Sequence, residues 1–282
     1  MGEPAVGAGT SLEAKSPFEL RVDLAKRVPE PDLRAAVRSG DVGFLHSFTT
    51  GSAVDGPGIR LVAWTTQCMF RCQYCHNPDT WTLNNGMPVT IQQATDELRK
   101  YANGLKAMKG GFTLSGGEPL MQARFAARLF AAAKGMGVHT AIETNGFYGG
   151  RLSDAELANI DLVILDMKGF SPEQHKRVTA GIDNAEVFEF GRRLAALKRP
   201  MWLRYVLVPG LTDVDEEMAQ VAAFGASLGV VERAEILPFH QMGRFKWEKL
   251  GLEYTLASTT PPSEDVVAHA VGIFRAAGLN AF

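Results

Sequence analysis

All cysteines of this chain lie in one stretch, from Cys68 to Trp81, which reads C-M-F-R-C-Q-Y-C-H-N-P-D-T-W. They are Cys68, Cys72 and Cys75, with the spacing C-x3-C-x2-C. Three thiolates on a short loop can converge on one point, and thiolates bind soft metals and iron–sulfur clusters. A four-iron cluster has one ligand position per iron, so three cysteines would leave one iron free to bind another ligand.

Four interpretations of this stretch compete. Three unrelated core cysteines are the simplest, but their confinement to eight positions argues against it. A structural zinc site would need His76 as a fourth ligand and would crowd all four ligands onto one loop. A c-type haem site would use Cys72-Gln-Tyr-Cys75-His76, but haem attachment requires export and we identify no export signal. We favour the fourth, an iron–sulfur cluster with an open site that binds and activates a substrate or cofactor.

Six further motifs occur between about Val42 and the C-terminus. They are D-G-P-G-I-R (55–60), S-G-G-E-P (115–119), T-N-G (144–146), L-D-M-K (165–168), R-Y-V-L-V-P-G (204–210) and L-P-F-H-Q-M-G-R-F-K-W (237–247). Together with the cysteine motif, they resemble the radical S-adenosylmethionine (SAM) superfamily and, more closely, the pyruvate formate-lyase activating enzymes. The cysteine motif alone indicates the superfamily, whereas the whole set in this order indicates the activase family.

Composition and charge set further bounds. The 282 residues carry a net charge of -2, and the isoelectric point is about 6.3. No global positive field therefore favours nucleic acid or an anionic membrane, and no apolar run is long enough to span a bilayer. Three clustered cysteines are not a disulfide framework, so we expect a reducing, cytoplasmic location. We also expect a monomer.

The N-terminal segment differs in character from the rest of the chain. We predict a poorly ordered tail over residues 1–41, with one short helix at residues 33–37, followed by a single domain over residues 42–282. Acidic residues in the tail argue against a transit peptide. They are Glu3, Glu13, Glu19 and Asp23. The resemblance does not cover this tail.

From residue 42 onward, the hydrophobic pattern alternates between strands and helices. The predicted strands are 59–65, 111–115, 138–143, 162–167, 201–208 and 233–239. One predicted helix begins at Thr90, where Gln93 completes a capping box. The other predicted helices are 122–134, 184–198, 213–228 and 263–277, the last with Ser263 as its N-cap.

This alternation predicts an α/β fold with a parallel sheet and helices outside it. About six βα units are too few for the eight of a closed barrel, so we predict a partial (β/α)6 TIM-type barrel with a lateral opening. Apart from D-G-P-G-I-R, which comes just before the first predicted strand, the motifs each lie at the C-terminal end of a predicted strand, which is the edge where barrel-type sheets hold their active sites. The strand pattern thus brings the motifs together without reference to the family.

The resemblance implies a set of site residues. The cluster ligands would be Cys68, Cys72 and Cys75. The SAM contacts would be Tyr74, Cys75, His76, Gly117, Asp166, Met167, Lys168 and His240. No catalytic residue is implied beyond the cluster and SAM.

Several of these residues also have a simpler interpretation. Gly116-Gly117 could form only a tight turn. Asp166 and Lys168 stand two apart on one strand, and therefore on one face, so they could form an internal ion pair. His240 could be an ordinary surface or core histidine.

One residue departs from the family pattern. The family has Asp-Thr-Asn-Gly where this chain has Glu143-Thr144-Asn145-Gly146. In the family, the acidic residue helps to hold a monovalent cation near the SAM carboxylate. Glutamate keeps the charge but adds a methylene, so the resemblance implies a monovalent cation whose site would have a different geometry here.

The resemblance also implies a mechanism and partners. One electron from a reduced [4Fe-4S] cluster cleaves the C–S bond of SAM, and the resulting 5′-deoxyadenosyl radical takes a hydrogen atom from a glycine Cα of pyruvate formate-lyase. The electron would come from a low-potential donor such as flavodoxin or ferredoxin. Residues 55–58, just before the first predicted strand, would help to receive the glycine loop of the partner, with Asp55 accepting its backbone N–H groups.

Three other functions stay open at this point. The chain could activate another glycyl-radical enzyme, such as anaerobic ribonucleotide reductase, although many such activases carry a ferredoxin-like insertion with further cysteines, which this sequence lacks. It could be a radical SAM enzyme with a small-molecule substrate, such as a deazapurine-forming synthase. Outside catalysis, it could be a zinc-binding structural module.

Overall fold

The computed structural model describes residues 19–20 and 30–282. Of the predicted tail it describes two pieces, the strand Glu19–Leu20 (β1) and the helix Glu30–Ser39 (α1), which contains the predicted helix at residues 33–37. The other tail residues, and with them the prediction of poor order, lie outside the described residues. The domain boundary at residue 42 stays a prediction.

The described residues form one mixed sheet with helices around it. The remaining strands are β2 (Val42–Ser52), β3 (Arg60–Thr65), β4 (Met87–Thr90), β5 (Gly111–Gly116), β6 (His139–Thr144), β7 (Leu162–Asp166), β8 (Met201–Leu207) and β9 (Val231–Pro238). The remaining helices are α2 (Ile91–Ala107), α3 (Ala123–Gly135), α4 (Asp154–Leu157), α5 (Pro172–Thr179), α6 (Ala185–Ala196), α7 (Asp215–Leu228), α8 (Arg244–Lys249) and α9 (Glu264–Ala276).

The sheet has the strand order β1-β2-β3-β5-β6-β7-β8-β9, with β4 paired to β2. Strands β3, β5, β6, β7, β8 and β9 are parallel to their neighbours in this series. These six parallel strands, joined through helices, confirm the predicted partial (β/α)6 barrel. Strands β2 and β9 lie towards opposite ends of this order, and the strand pairings of the described residues do not join them, so the sheet is open.

The predicted strands and helices of the domain are all present, with ends within two residues of the prediction. At the start of α2, the Thr90 side chain accepts from the Gln93 backbone N–H and the Gln93 side chain accepts from that of Thr90, which confirms the capping box. Ser263 caps α9 as predicted. The sequence analysis did not predict β1, β2, β4, α4, α5 or α8. Helix α5 has few apolar residues, and its start was signalled only by Ser171 as N-cap followed by Pro172.

The inner face of the parallel strands changes from apolar to charged towards their C-terminal ends. Ala141, Leu162, Ile164 and Trp202 pack together as an apolar layer. Because side chains alternate along a strand, residues two positions further on lie on the same face. On β6, β7 and β8 these residues are Glu143, Asp166 and Arg204. The barrel therefore has an apolar floor below a layer of charged side chains.

Removal of the Thr90 side chain tests the capping box of α2. Thr90→Ala should lower the free energy of unfolding by about 1 kcal/mol, because the Gln93 N–H loses its acceptor. Urea denaturation measures this change. Thr260→Ala, at an exposed loop threonine, is the control and should stay within about 0.5 kcal/mol of the wild-type value. A loss at Thr90 no larger than at Thr260 would contradict a stabilising capping box.

Candidate active site

A cavity of about 520 Å³ opens at the C-terminal ends of the parallel strands. The predicted site residues that line it are Cys68, Cys72, Tyr74, Cys75, His76, Gly117, Asp166, Lys168 and His240. The remaining one, Met167, is buried in the main hydrophobic core, so its side chain is not part of the cavity wall. The structure thus brings together residues that are up to 172 positions apart in the sequence, which is the distance from Cys68 to His240.

A second, larger groove of about 880 Å³ lies on the outside of the sheet, between α6 and α7. Phe170, Phe188 and Phe224 contribute its apolar surface. None of the predicted site residues lines it. The chemistry predicted from the motifs therefore belongs to the smaller cavity.

The cysteine loop is held by backbone hydrogen bonds from several directions. Its two ends meet, since the Cys68 N–H donates to the Trp81 carbonyl at 3.1 Å. The last carbonyls of α5, those of Val178 and Thr179, accept from the N–H groups of Gln73 and Arg71 at 3.1 and 3.2 Å. On another side, the indole N–H of Trp247 in α8 donates to the Cys75 carbonyl at 2.8 Å. The loop is therefore fixed by two helices that the cysteine motif does not contain.

The three thiols lie in a dry environment. Cys72 is buried and Cys68 and Cys75 are partly buried, and none of them forms a disulfide. Burial raises the pKa of all three thiols, that of Cys72 to about 12. A nearby cationic metal centre would favour the thiolate forms instead. Among the described residues, no three His, Cys, Asp or Glu side chains are grouped as ligands of a single metal ion.

Gly116 and Gly117 form the turn after β5. Gly116 has a φ of +122°, which side chains rarely permit. A Cβ on Gly117 would lie 2.5 Å from the Gln67 carbonyl oxygen, so the close approach that requires glycine is to the protein's own backbone. The turn alone therefore explains the need for glycine at these two positions, and the turn also lines the cavity.

Asp166 and Lys168 form an ion pair inside the cavity, with 3.2 Å between Nζ and the carboxylate oxygen. Burial alone would lower the pKa of Lys168, but the Asp166 carboxylate raises it well above its ordinary value, so this lysine is charged. The Lys168 Nζ also lies 5.4 Å from the centre of the Tyr74 ring. The Tyr74 hydroxyl is buried without a hydrogen-bond partner in the structure. Such an unpaired polar atom is expected where a ligand binds.

His76 and His240 stand together at the cavity wall, with 5.0 Å between ring centres and the rings edge to face. Burial and the neighbouring His240 lower the pKa of His76. The arrangement uses His76 for packing against another ring rather than as part of a ligand group with the thiols. An aromatic base could stack on the face of one of these rings.

Glu143 belongs to a charged network that the sequence reading missed. The Arg204 Nη1 donates to one carboxylate oxygen of Glu143, and the Ser115 hydroxyl donates to the other at 2.6 Å. Arg204 also donates to Glu235 on β9, from Nε at 3.0 Å and from Nη2 at 2.7 Å. Despite the opposing effect of burial, Arg204 lowers the pKa of Glu143, so this carboxylate is ionised. Arg204 could have been identified from the sequence, because it begins the motif R-Y-V-L-V-P-G (204–210) and lies on the inner face of β8.

Asp55 lies between β2 and β3, so it precedes the first parallel strand rather than the first strand of the sheet. It lines the cavity, but only 7% of its surface is exposed. Its carboxyl group accepts a hydrogen bond from Ser52. Burial and the nearby Glu143 raise its pKa. Asp55 is therefore at the predicted place, with one of its oxygen atoms already bonded within the protein.

Comparison with known proteins identifies the family of this chain. The family model of the radical SAM superfamily matches residues 62–222. The chain is 40% identical over 238 residues to a pyruvate formate-lyase-activating enzyme of Staphylococcus epidermidis, covering 81% of this chain and 93% of the relative. It is 38% identical over 239 residues to the pyruvate formate-lyase 1-activating enzyme of Escherichia coli K12, covering 84% and 97%.

Solved structures show the same fold. A radical SAM methyltransferase from Sphaerobacter thermophilus is 16% identical, with a TM-score of 0.57, and the match covers 90% of this chain and 81% of that one. A domain of a pyruvate-formate lyase-activating enzyme from Bacteroides vulgatus is 24% identical, with a TM-score of 0.51, covering 61% and 98%.

An open (β/α)6 sheet with three cysteines at its C-terminal edge, matched by the superfamily model over residues 62–222, defines a radical SAM protein. Identities of 38–40% over most of both chains narrow this class further. The chain belongs to the family of pyruvate formate-lyase-activating enzymes within the radical SAM superfamily. In addition, no described helix is both long and apolar enough to cross a bilayer.

The pH dependence of stability tests the contact between α5 and the cysteine loop. His175 of α5 packs edge-on against Phe70, with 5.4 Å between ring centres, and its Nδ1 is bonded to the Ile182 carbonyl at 2.9 Å. Burial lowers its pKa. The unfolded chain therefore binds a proton here more readily than the folded one, so stability is lost as the pH falls through and below about 6.5.

We expect the urea concentration at the unfolding midpoint to decrease as the pH is lowered from about 7.5 to about 5.5. The decrease should be smaller in His175→Gln. Other buried histidines contribute equally to both proteins, so the difference reports His175. His269→Gln is the control, since His269 is exposed and paired with Asp215. An unchanged pH dependence in His175→Gln would show that His175 does not titrate with folding.

Proposed function

We propose that this protein activates pyruvate formate-lyase by generating a glycyl radical in it, through reductive cleavage of SAM at a [4Fe-4S] cluster. One observation carries the proposal: the three cysteine thiols and the Asp166–Lys168 pair face a single cavity at the open edge of the sheet. Family membership adds support, because the relatives of similar length are named for this activity.

SAM and a [4Fe-4S] cluster are the cofactors of the radical SAM superfamily, to which the chain belongs. We assign Cys68, Cys72 and Cys75 as the cluster ligands, because they are thiols and all three line the cavity. When bound, the cluster supplies the single electron that breaks a C–S bond of SAM. The role of the protein is to hold the thiols in place, keep water out and position the cofactor. The partly buried cysteine loop and its anchoring by α5 and α8 suit that role.

The polar side chains of the cavity suit SAM. Asp166 and Lys168 are hydrogen-bonding groups that suit the ribose hydroxyls, and the ring pair His76 and His240 suits the adenine. The Tyr74 hydroxyl, which is buried and unpaired, is available to a ligand. We assign Gly117 and Met167 backbone contacts only, because Gly117 has no side chain and that of Met167 lies in the core.

Four finer points complete the proposal. The electron comes from a low-potential donor such as flavodoxin or ferredoxin, and the protein acts as a cytoplasmic monomer. The protein substrate enters with its glycine loop through the open side of the sheet. The monovalent cation implied by the resemblance stays a prediction. Its expected holder, Glu143, already accepts hydrogen bonds from Arg204 and Ser115, so a cation would have to share these oxygen atoms.

Radical formation tests the function. Anaerobic incubation of the reconstituted protein with SAM, a reductant and pyruvate formate-lyase should give the electron paramagnetic resonance signal of a glycyl radical. Cys72→Ser removes one thiol from the cavity and should abolish both iron binding and the signal. Met69→Leu, in the same loop, is the control and should keep both.

Two outcomes would contradict the proposal separately. Cleavage of SAM by a variant that lacks all three thiols would refute the cluster assignment. Intact SAM cleavage without any radical in pyruvate formate-lyase would refute the choice of substrate. In that case, deuterium transfer into 5′-deoxyadenosine from labelled candidate substrates would identify the class of molecule that reacts.

Lys168→Met tests the SAM pocket. The variant keeps much of the side-chain volume but loses the charged donor, so the dissociation constant of SAM should rise about tenfold or more. Calorimetry on the reconstituted protein measures it, and iron content should stay near normal. Lys134→Met is matched to it, since Lys134 pairs with Asp161 away from the cavity, and it should leave SAM affinity unchanged. Unchanged affinity in Lys168→Met would remove Lys168 from the site.

A further inference from the structure

The rim of the cavity contains a short segment, residues 54–58, between β2 and β3. We call it the rim segment. Its first two residues differ strongly in exposure: 71% of the Val54 surface is exposed, whereas Asp55 is 7% exposed. Both residues line the cavity. Any macromolecule that reaches into the cavity past this rim must contact the segment.

The rim segment is held from below by residues of β3 and β5. The Arg60 Nη1 donates to the Pro57 carbonyl at 3.1 Å, and the Thr113 hydroxyl donates to the Asp55 carbonyl at 2.6 Å. The Arg60 Nε in turn donates to the Thr113 hydroxyl at 2.9 Å. These contacts fix the part of the segment that leads into β3.

A separate contact holds the other end of the rim segment from inside the barrel. The Arg204 Nη2 donates to the Val54 carbonyl at 2.8 Å, across 150 positions of sequence. Arg204 itself is held by Glu143 and Glu235. The planar guanidinium group therefore connects β6, β9 and the rim segment, because Nη1 donates to Glu143, Nε and Nη2 donate to Glu235, and Nη2 also donates to the Val54 carbonyl.

We propose that Arg204 is a positioning residue for the protein substrate: its bond to the Val54 carbonyl holds the rim segment in the conformation that receives the glycine-bearing loop. This inference rests on the proposed function. An extended peptide binds through backbone hydrogen bonds, and it binds more tightly when the receiving backbone is already ordered. Ordering a flexible residue costs conformational entropy, and in the free protein the bond to Arg204 has already ordered this part of the rim segment.

Arg204→Lys separates this role from the charge of Arg204. Lysine keeps the positive charge beside Glu143 and Glu235, but one ammonium group cannot reproduce the three-sided contacts of the guanidinium. The KM for pyruvate formate-lyase in radical formation should rise about tenfold, because binding must then order the rim segment. Because Arg204 also bonds Glu143 in the cavity wall, the substitution could disturb the cofactor as well. The rate of SAM cleavage without the partner measures that disturbance separately.

Two controls accompany this variant. Arg193→Lys alters an arginine with the same kinds of contact on the outside of the barrel, to Asp154 and to the Gly149 carbonyl, and should change neither KM nor SAM cleavage. Glu235→Gln weakens the hold on Arg204 without altering Arg204, and should raise KM in the same direction by a smaller factor. It carries the test if Arg204→Lys does not fold. Amide hydrogen exchange of residues 54–58 should become faster in both Arg204→Lys and Glu235→Gln.

The outcomes distinguish this inference from the function on which it rests. If the wild-type protein forms no radical in pyruvate formate-lyase, the proposed function fails. If the wild type is active and the folded variants at Arg204 and Glu235 keep the wild-type KM, the positioning role fails. A rise in KM matched by an equal loss of uncoupled cleavage would also overturn it, because Arg204 would then act through the cofactor pocket.

Discussion

The burial of charged side chains at the C-terminal ends of the strands is the constraint on which this site depends. A buried charge without a partner costs several kcal/mol. Here Lys168 pairs with Asp166, and Arg204 pairs with Glu143 and Glu235. Asp166 and Glu235 stand directly beside Arg204 in the registers of β7 and β9 with β8. A shift of one residue in either register would turn these side chains to the other face, so the charges and the strand pairing require each other.

The position of the cysteine loop depends on the pairing of backbone hydrogen-bonding groups. A helix leaves its last carbonyl groups without partners, and a buried loop leaves its N–H groups without partners. The end of α5 and the cysteine loop satisfy each other, since Val178 and Thr179 accept from Gln73 and Arg71. A helix formed by residues 172–179, about a hundred positions later in the chain, thus completes the hydrogen bonding of the cysteine loop. This pairing holds the loop whose thiols line the cavity.

The sequence predicted the features that local patterns determine. The capping box at Thr90 and the parallel strands follow from neighbouring residues, and the motifs meet because parallel strands end at one edge. The sequence did not predict β2, whose pairing with β4 joins residues that are far apart in the chain. Nor did it predict the partners of Arg204 or Asp55, because which carboxylate or carbonyl a side chain reaches depends on strand order and register together.

Glu143 shows how much one methylene group changes in such a layer. Its two oxygen atoms reach Ser115 on β5 and Arg204 on β8, across the inner face of the sheet. An aspartate would end one C–C bond, about 1.5 Å, nearer to its own backbone, so it could not hold both partners in their present positions. The longer side chain thus keeps Arg204 in place, and Arg204 bonds the Val54 carbonyl at the rim. A carboxylate inside the cavity and the backbone at its rim therefore share one guanidinium group, so the two cannot change independently.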